Sequence, residues 1–152
     1  MSEFEKDLAS NRKARHNYHI VERFEAGIVL TGTEVKSARA GKVTLKDSYA
    51  RVRGEELWLM NVHIAPYTHG NVHNHEPERD RKLLVHKRQI HKLMGETMRG
   101  GLTLVPLRVY LKGGRIKVEL GLAKGKKQHD KRDAKRAQQL DREAEAAMSR
   151  RR

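Results

Sequence analysis

The chain has 152 residues, 33 Lys or Arg against 19 Asp or Glu, a net charge of +14 at pH 7 and a pI near 10.3. This length fits one domain, and so large a positive charge indicates a polyanionic partner such as nucleic acid, an anionic membrane surface or an acidic protein. The lack of Cys excludes disulfides and cysteine-ligated zinc, and because no apolar run approaches a membrane span or the core of a secretory signal, we expect a cytoplasmic nucleic-acid-binding protein.

The first predicted elements are a strand and a helix. Residues 18–30 (YHIVERFEAGIVL) alternate apolar and polar side chains in their first half, which is typical of a half-buried strand. The strand then reaches Gly27, where we expect a bulge or a bend. The following segment TEVKSARAG predicts a helix with Thr33 as its N-cap and Gly41 as its stop.

Two β-hairpins are predicted further along the chain. Residues 47–67 (DSYARVRGEELWLMNVHIAPY) predict two strands with Gly54 in the turn between them. Residues 102–125 (LTLVPLRVYLKGGRIKVELGLAKG) predict a second pair, because β-branched residues alternate on both sides of Gly113 and Gly114.

A second helix is predicted between the hairpins. Residues 86–101 (HKRQIHKLMGETMRGG) have apolar residues at helical spacing and end in two glycines. Five or six short antiparallel strands with inserted helices predict a mainly β fold, an OB-like closed antiparallel β-barrel with two or three peripheral helices. We assign this barrel to residues 1–123.

The last predicted element is a basic C-terminal tail, residues 124–152. It holds 11 basic and five acidic residues and no Phe, Trp, Tyr, Ile or Val. As a helix it would present one basic half and one thin, Ala-rich half, but four of its five fully charged i,i+4 pairs are like-signed and each of those four costs ~0.2–0.5 kcal/mol. We therefore predict a tail that is disordered when free and helical on a polyanion. A permanently disordered solubilising tail is the alternative.

A basic arm precedes the first strand. The stretch NRKARHNYHI places Arg12, Lys13, Arg15 and His16 close together. Such a cluster predicts a grip on RNA phosphates, and a solvated basic segment is the alternative.

The aromatic and basic side chains indicate which mode of RNA binding is favoured. Only 5% of the chain is aromatic, and Trp58 and Tyr110 alternate with apolar neighbours, so we expect them in the core. Binding through phosphates and the shape of a folded RNA is then favoured over base stacking. Arg79, Arg81 and Lys82 precede an apolar run and predict a charged rim on the barrel.

The sequence offers weak signals for metal binding. The segment around HGNVHNHE contains His69, His73, His75 and Glu76, with His63 upstream. A histidine-rich polar loop is favoured over a metal site, because no second strong set of ligands exists elsewhere.

Signals for catalysis are also weak. No nucleophile motif, phosphate loop or paired-carboxylate pattern is present. Glu25 and Glu34 are candidates for a catalytic carboxylate acting with a His, but a structural role, or acceptance of hydrogen bonds from a base or an amine, is favoured. A small ribonuclease using His129 and Asp130 is the enzymatic alternative, but we expect no catalysis and no cofactor.

Six segments taken together resemble the small protein B family, the SsrA- or tmRNA-binding proteins of bacterial trans-translation. They span about residues 11–133: NRKARHNYHI, FEAGIVLTGTEVKSARAGKVTLKDSYA, NVHIAPY, NHEPERDRKLLVH, GLTLVPLRVYLKGG and GLAKGKKQHDKR. The resemblance implies a non-catalytic, monomeric adaptor that binds the tRNA-like domain of tmRNA and delivers it to stalled ribosomes. Elongation factor Tu would join through tmRNA, and the tail would occupy the empty mRNA channel. A ribosome-associated RNA binder that does not bind tmRNA is the alternative.

The resemblance also assigns residues. Asn11, Glu25 and Leu84 match positions linked to tmRNA binding. The full set of candidate RNA-binding residues is Asn11, Arg12, Lys13, Arg15, His16, Glu25, Lys36, Leu84, Lys124, Lys126 and Lys127. The candidate ribosomal tail motif is Gly125, His129, Asp130, Lys131, Arg132, Lys135 and Arg136.

Overall fold

A computed structural model describes residues 5–68, 73–126, 136, 139–140 and 142–144. The described part of the first 125 residues forms nine strands and three helices. In chain order these are β1 (Glu5–Ser10), α1 (Arg12–Asn17), β2 (Tyr18–Ile28), α2 (Gly32–Arg39), β3 (Val43–Thr44), β4 (Tyr49–Arg53), β5 (Glu56–Met60), β6 (His63–Ile64), β7 (Arg81–Leu84), α3 (Lys87–Gly100), β8 (Thr103–Lys112) and β9 (Arg115–Gly125).

Most strands join one antiparallel sheet in the order β1-β8-β4-β5-β7-β2-β9, and β8 also pairs with β9. The pairings therefore run from β8 through β4, β5, β7, β2 and β9 and return to β8, with β1 attached beside β8. The short strands β3 and β6 pair separately. The predicted mainly β fold with several helices is confirmed.

The core lies between the inward-facing sides of the strands. Alternation along each strand sends every second residue inward, and half of the buried residues in the main core cluster are leucine. Fully buried members include Leu57, Leu59, Leu83, Leu120 and Leu122. A second, smaller cluster lies under α1 and consists of Ala14, Val105, Leu107 and Ala123. The N-terminal helix is therefore packed on the sheet.

The predicted glycine turns are present. Gly54 joins β4 to β5 with φ 67°, and Gly113 and Gly114 join β8 to β9 with φ 56° and 76°. Two consecutive positive φ values suit the twist of a tight hairpin and are accessible to glycine without strain. Helix α3 ends at the two predicted glycines: Gly100 is its last residue, and Gly101 caps it with a left-handed φ of 62°.

The predicted N-cap of α2 was wrong by two residues. The cap is Thr31, whose hydroxyl oxygen accepts a hydrogen bond from the Glu34 amide, while the Glu34 carboxylate accepts one from the Thr31 amide at 2.8 Å. This reciprocal capping box satisfies two amides that a start at Thr33 would leave unpaired.

The bulge predicted at Gly27 was also wrong. The irregularity in β2 falls between Ile20 and Glu22, whereas Gly27 pairs regularly with Leu84 on one side and Lys117 on the other. A Cβ atom at Gly27 would lie 3.3 Å from the Cβ of Leu84. The glycine therefore permits close approach of two strands.

Two burial predictions need correction. Trp58 is only half-buried, because Leu57 and Leu59 take the inward positions of β5 and leave the indole on the outer face, where the Arg53 guanidinium lies 4.5 Å from the ring centroid. Arg81 lies in the core and not on a charged rim: it is fully buried, on the same inward side of β7 as Leu83.

The tail begins within β9, which ends at Gly125. Beyond Lys126, the described residues of the tail are helical and exposed: Arg136, Gln139, Leu140, Arg142, Glu143 and Ala144. Among all the described residues, no helix has both the length and the apolar character needed to cross a membrane.

Candidate RNA-binding surface

Helix α1 is held on the sheet by Asn11. Its side-chain oxygen caps the helix by accepting from the Ala14 amide at 3.1 Å, and its Nδ2 donates to the carbonyls of Pro106 at 2.9 Å and Leu45 at 3.3 Å. Asn11 is only 5% exposed. The geometry therefore makes Asn11 an anchor of α1, and its assignment as an RNA contact remains a prediction.

The cations of α1 face outward. Arg12, Arg15 and His16 are exposed, and so is Lys13, whose Nζ forms an ion pair with Asp47 at 2.8 Å. An exposed ion pair of this kind contributes little stability. Lys13 can therefore exchange Asp47 for a phosphate at small cost.

The start of the tail lies beside α1. Tyr18 pairs with Gly125 across β2 and β9, and the Lys126 amide donates to the Asn17 carbonyl at 2.9 Å. Strand pairing thus brings together residues that are more than a hundred positions apart. We call this basic region the arm surface: Arg12, Lys13, Arg15, His16, Lys124 and Lys126. Lys127, the remaining candidate of this stretch, lies outside the described residues.

Glu25 and Leu84 meet in a cleft between β2, β7 and the start of α3. The cleft has a volume of about 340 Å³ and is lined by Glu25, Gly27, Leu84, Val85, His86, Gln89 and Lys117. Leu84 is 52% exposed. An exposed leucine beside a carboxylate, an amide and an ammonium group can bind a partly apolar ligand that also has polar edges, such as a nucleotide.

The Glu25 carboxylate is held by two donors. Its Oε2 accepts a hydrogen bond from the Tyr110 hydroxyl and one from Lys112 Nζ at 3.3 Å. The Tyr110 bond is the main cause that lowers the pKa of Glu25; burial opposes it, and Lys112 adds to the lowering. Glu25 is therefore ionised at neutral pH and acts only as a hydrogen-bond acceptor.

The arm surface and the cleft lie at opposite ends of β2. Seven residues separate Tyr18 from Glu25, which corresponds to about 20 Å along a strand. Lys36 belongs to neither surface: it lies on α2, with Nζ 5.3 Å from the ring centroid of Tyr67.

Sequence reasoning missed Lys117. It lines the cleft because it pairs with Gly27, directly opposite Leu84 across β2. The only signal was its place in the β9 alternation, and that signal needs the β2–β9 pairing to be interpreted.

The histidine-rich segment holds structure in its described part. His75 Nε2 donates to the Ile64 carbonyl at 2.9 Å, which leaves Nδ1 to accept from the Thr33 hydroxyl at 2.8 Å. Both ring nitrogens are thus used internally. Within the described ranges, no group of three or more His, Asp or Glu side chains could hold a metal ion. His69 lies outside those ranges.

Most residues of the candidate tail motif lie outside the residues that the structure describes. Gly125 is exposed at the end of β9, and Arg136 is exposed and helical. His129, Asp130, Lys131, Arg132 and Lys135 lie outside the described residues, and with them the two residues of the ribonuclease alternative.

The sequence matches a known family. The SmpB protein family model matches residues 8–150, which include the residues of the arm surface and the cleft and nearly all of the tail. The chain belongs to the SmpB family. The resemblance drawn from the six sequence segments is thereby confirmed.

Relatives support this membership over nearly the full chain. The SsrA-binding protein of Carboxydothermus hydrogenoformans is 59% identical over 144 residues, covering 95% of this chain and 97% of that protein. The SsrA-binding protein of Enterococcus faecalis is 58% identical over 136 residues, covering 90% and 88%. A solved structure described as "tmRNA-SmpB: a journey to the center of the bacterial ribosome" contains a chain that is 51% identical, with a TM-score of 0.65 and coverage of 84% of this chain and 87% of that chain.

Proposed function

We propose that this SmpB-family protein is a non-catalytic adaptor that binds tmRNA and delivers it to stalled ribosomes in trans-translation. The observation that decides it is the match over residues 8–150, together with relatives named SsrA-binding proteins that align along nearly their whole length. SsrA RNA is tmRNA. The net charge of +14 suits a polyanionic partner of this kind.

The β domain, residues 1–123, is proposed to be an OB-like closed barrel. The support is the circuit of pairings from β8 through β4, β5, β7, β2 and β9 back to β8. Closure of this kind leaves few free strand edges and makes a rigid platform for side chains that contact RNA.

The two surfaces on β2 would divide the binding of the tRNA-like domain. The arm surface presents cations without a pocket, which suits the phosphate backbone. The cleft combines the acceptor Glu25, the apolar Leu84 and the cation Lys117, which suits an individual nucleotide. Backbone contacts would set affinity and register, while the cleft would distinguish this RNA from others.

The tail, residues 124–152, is proposed to act on the ribosome. Its three i,i+4 pairs of cations disfavour a free helix, and rRNA phosphates along an empty mRNA channel would neutralise them. We therefore infer that the tail beyond β9 forms only a marginal helix when free and a stable helix in the channel. Elongation factor Tu would enter the delivery complex through tmRNA.

Recovery of the bound RNA tests the proposal. The protein is purified from cells with its RNA, the RNA is sequenced, and the purified protein is then titrated with the tRNA-like domain of tmRNA and with an ordinary hairpin of equal length. Enrichment of tmRNA and tighter binding of its tRNA-like domain are expected. Recovery of rRNA alone, with equal affinity for both RNAs, would support a ribosome-associated binder that does not use tmRNA.

A further inference from the structure

Three strands place a row of polar side chains on one face that leads to the cleft. Arg108, Glu119 and Glu25 are direct partners across β8, β9 and β2. Two residues further along the strands, the next row consists of Tyr110, Lys117 and Gly27. Residues two apart on a strand share a face, so the Tyr110 side chain crosses β9 diagonally and its hydroxyl reaches Glu25.

Tyr110 is itself fixed. It is only 2% exposed, and the Arg108 guanidinium lies 3.9 Å from its ring centroid. Arg108 donates to Asp7 at 2.8 Å, to Glu5 at 3.1 Å and to Glu119 at 3.2 Å. The ring therefore cannot turn away from Glu25 unless this network is broken.

The two donors to Glu25 use the same oxygen. Tyr110 and Lys112 both donate to Oε2, whereas Oε1 accepts no hydrogen bond from any of the residues that the structure describes. Glu25 lines the cleft. One carboxylate oxygen is thus engaged by the protein, and the other remains as an acceptor.

We propose that Tyr110 and Lys112 are positioning residues for RNA recognition, which hold Glu25 by Oε2 so that Oε1 accepts from an N–H or a ribose hydroxyl of the bound RNA. This inference rests on the proposed function and adds to it how the Glu25 carboxylate is oriented towards the RNA. A free glutamate would lose rotamer freedom on binding and would face a polyanion as a mobile negative charge. Tyr110 removes the first cost in advance, and Lys112 offsets part of the charge.

The positioning role has a chemical reason for the residue type. An ionised carboxylate accepts hydrogen bonds and donates none, and the Tyr110 bond favours that form by lowering the pKa of Glu25. The RNA group must therefore be a donor. Phosphate oxygens are excluded, and base N–H groups and 2′-hydroxyls remain.

The test measures the affinity of purified full-length variants for the tRNA-like domain of tmRNA. Tyr110→Phe keeps the ring under Arg108 and removes only the hydroxyl. It should weaken RNA binding about threefold to tenfold. Glu25→Gln should weaken RNA binding at least as much. The variant carrying both changes should bind no more weakly than Glu25→Gln alone, because a positioning residue acts through the group it holds. Losses that multiply in the double variant would overturn the proposal.

A second variant, Lys112→Met, tests the proposal if Tyr110→Phe lowers the urea midpoint and so destabilises the protein. Its matched control is Lys6→Met, which removes an exposed charge from the neighbouring strand β1. In the wild-type background, Lys112→Met should weaken binding more than Lys6→Met does. In the Glu25→Gln background, the two lysine substitutions should weaken binding equally. The positioning role would be overturned if Tyr110→Phe bound with wild-type affinity and the two lysine variants bound equally well, while Glu25→Gln still bound more weakly. The proposed function would remain in that case. Failure of the wild-type protein to prefer the tRNA-like domain over a hairpin would instead remove the proposed function.

Discussion

Glu34 and Arg81 form an ion pair in which both side chains are fully inaccessible, with Arg81 Nε donating to Glu34 Oε2 at 2.6 Å. The other carboxylate oxygen accepts from Arg79 at 2.6 Å. Arg81 also donates to the carbonyls of Val62 and Pro77. The pair therefore ties α2 to β7 and to the segment around β6, and it belongs to the architecture and not to an RNA surface.

Replacing Glu34 should destabilise the folded protein. Glu34→Gln leaves the buried Arg81 charge without its counter-ion, and we expect a loss of about 3–5 kcal/mol in the free energy of unfolding. Urea unfolding followed by circular dichroism measures it. Glu55→Gln, on the exposed β4–β5 turn, is the control and should change stability by no more than about 0.5 kcal/mol. Equal, small effects of the two variants would contradict the account.

The same pair predicts acid sensitivity. Burial works to raise the pKa of Glu34, but hydrogen bonds from Arg79, the Thr31 amide and Arg81 outweigh it and lower the pKa from 4.5 to about 2. A lowered folded-state pKa stabilises the protein above the unfolded value, and this stabilisation is lost as the pH falls from about 5 towards 2. On the order of 3 kcal/mol is at stake. Urea unfolding at pH 7, 5, 4 and 3 should show the decline in the wild-type protein, and a smaller decline in Glu34→Gln. The same slope in both proteins would exclude Glu34 as its source.

Leu84 should affect RNA binding more than folding. Its side chain is 52% exposed in the cleft, so Leu84→Ala should leave stability within about 1 kcal/mol. Loss of apolar contact with the RNA should weaken tmRNA binding about 5- to 30-fold, or about 1–2 kcal/mol. Met98→Ala is the matched control, because Met98 is 80% exposed on α3 and does not line the cleft. Parallel losses of thermal stability and affinity in Leu84→Ala would assign Leu84 a structural role.

The arm surface should determine the salt dependence. Arg12→Ala combined with Lys13→Ala removes two candidate phosphate contacts, and should reduce the slope of log K against log salt by up to about 1.8. The control pair is Lys6→Ala with Arg115→Ala, two exposed cations near the β8–β9 turn. Filter binding between 50 and 300 mM salt provides the slopes. If both pairs shift the slope equally, the arm contributes only general charge.

Local signals in the sequence predicted the two hairpin turns and the C-terminal end of α3. Gly54, Gly113, Gly114 and Gly101 could be placed because positive φ is a property of one residue and its neighbours. The arm cations were also correctly expected to be exposed. The segments that resemble the SmpB family located Glu25 and Leu84, which the strand pairing then brings to one cleft.

Long-range pairings could not be predicted in the same way. Glu25 meets Tyr110 across 85 residues, and Glu34 meets Arg81 across 47. Arg81 was expected on a charged rim because it stands among cations that precede an apolar run, although it shares the inward side of β7 with Leu83. Strand alternation was a usable signal there, and it also places Trp58 outward beside the inward Leu57.

The division of labour between body and tail is the central claim, and one paired assay on a truncated protein tests it most directly. Truncation after Lys126 keeps the amide that binds the Asn17 carbonyl and removes residues 127–152. Affinity for the tRNA-like domain and peptide tagging on ribosomes stalled without a stop codon are measured on the same preparations of truncated and full-length protein. We predict affinity within about threefold of wild type and no tagging. Full tagging by the truncated protein would contradict the account.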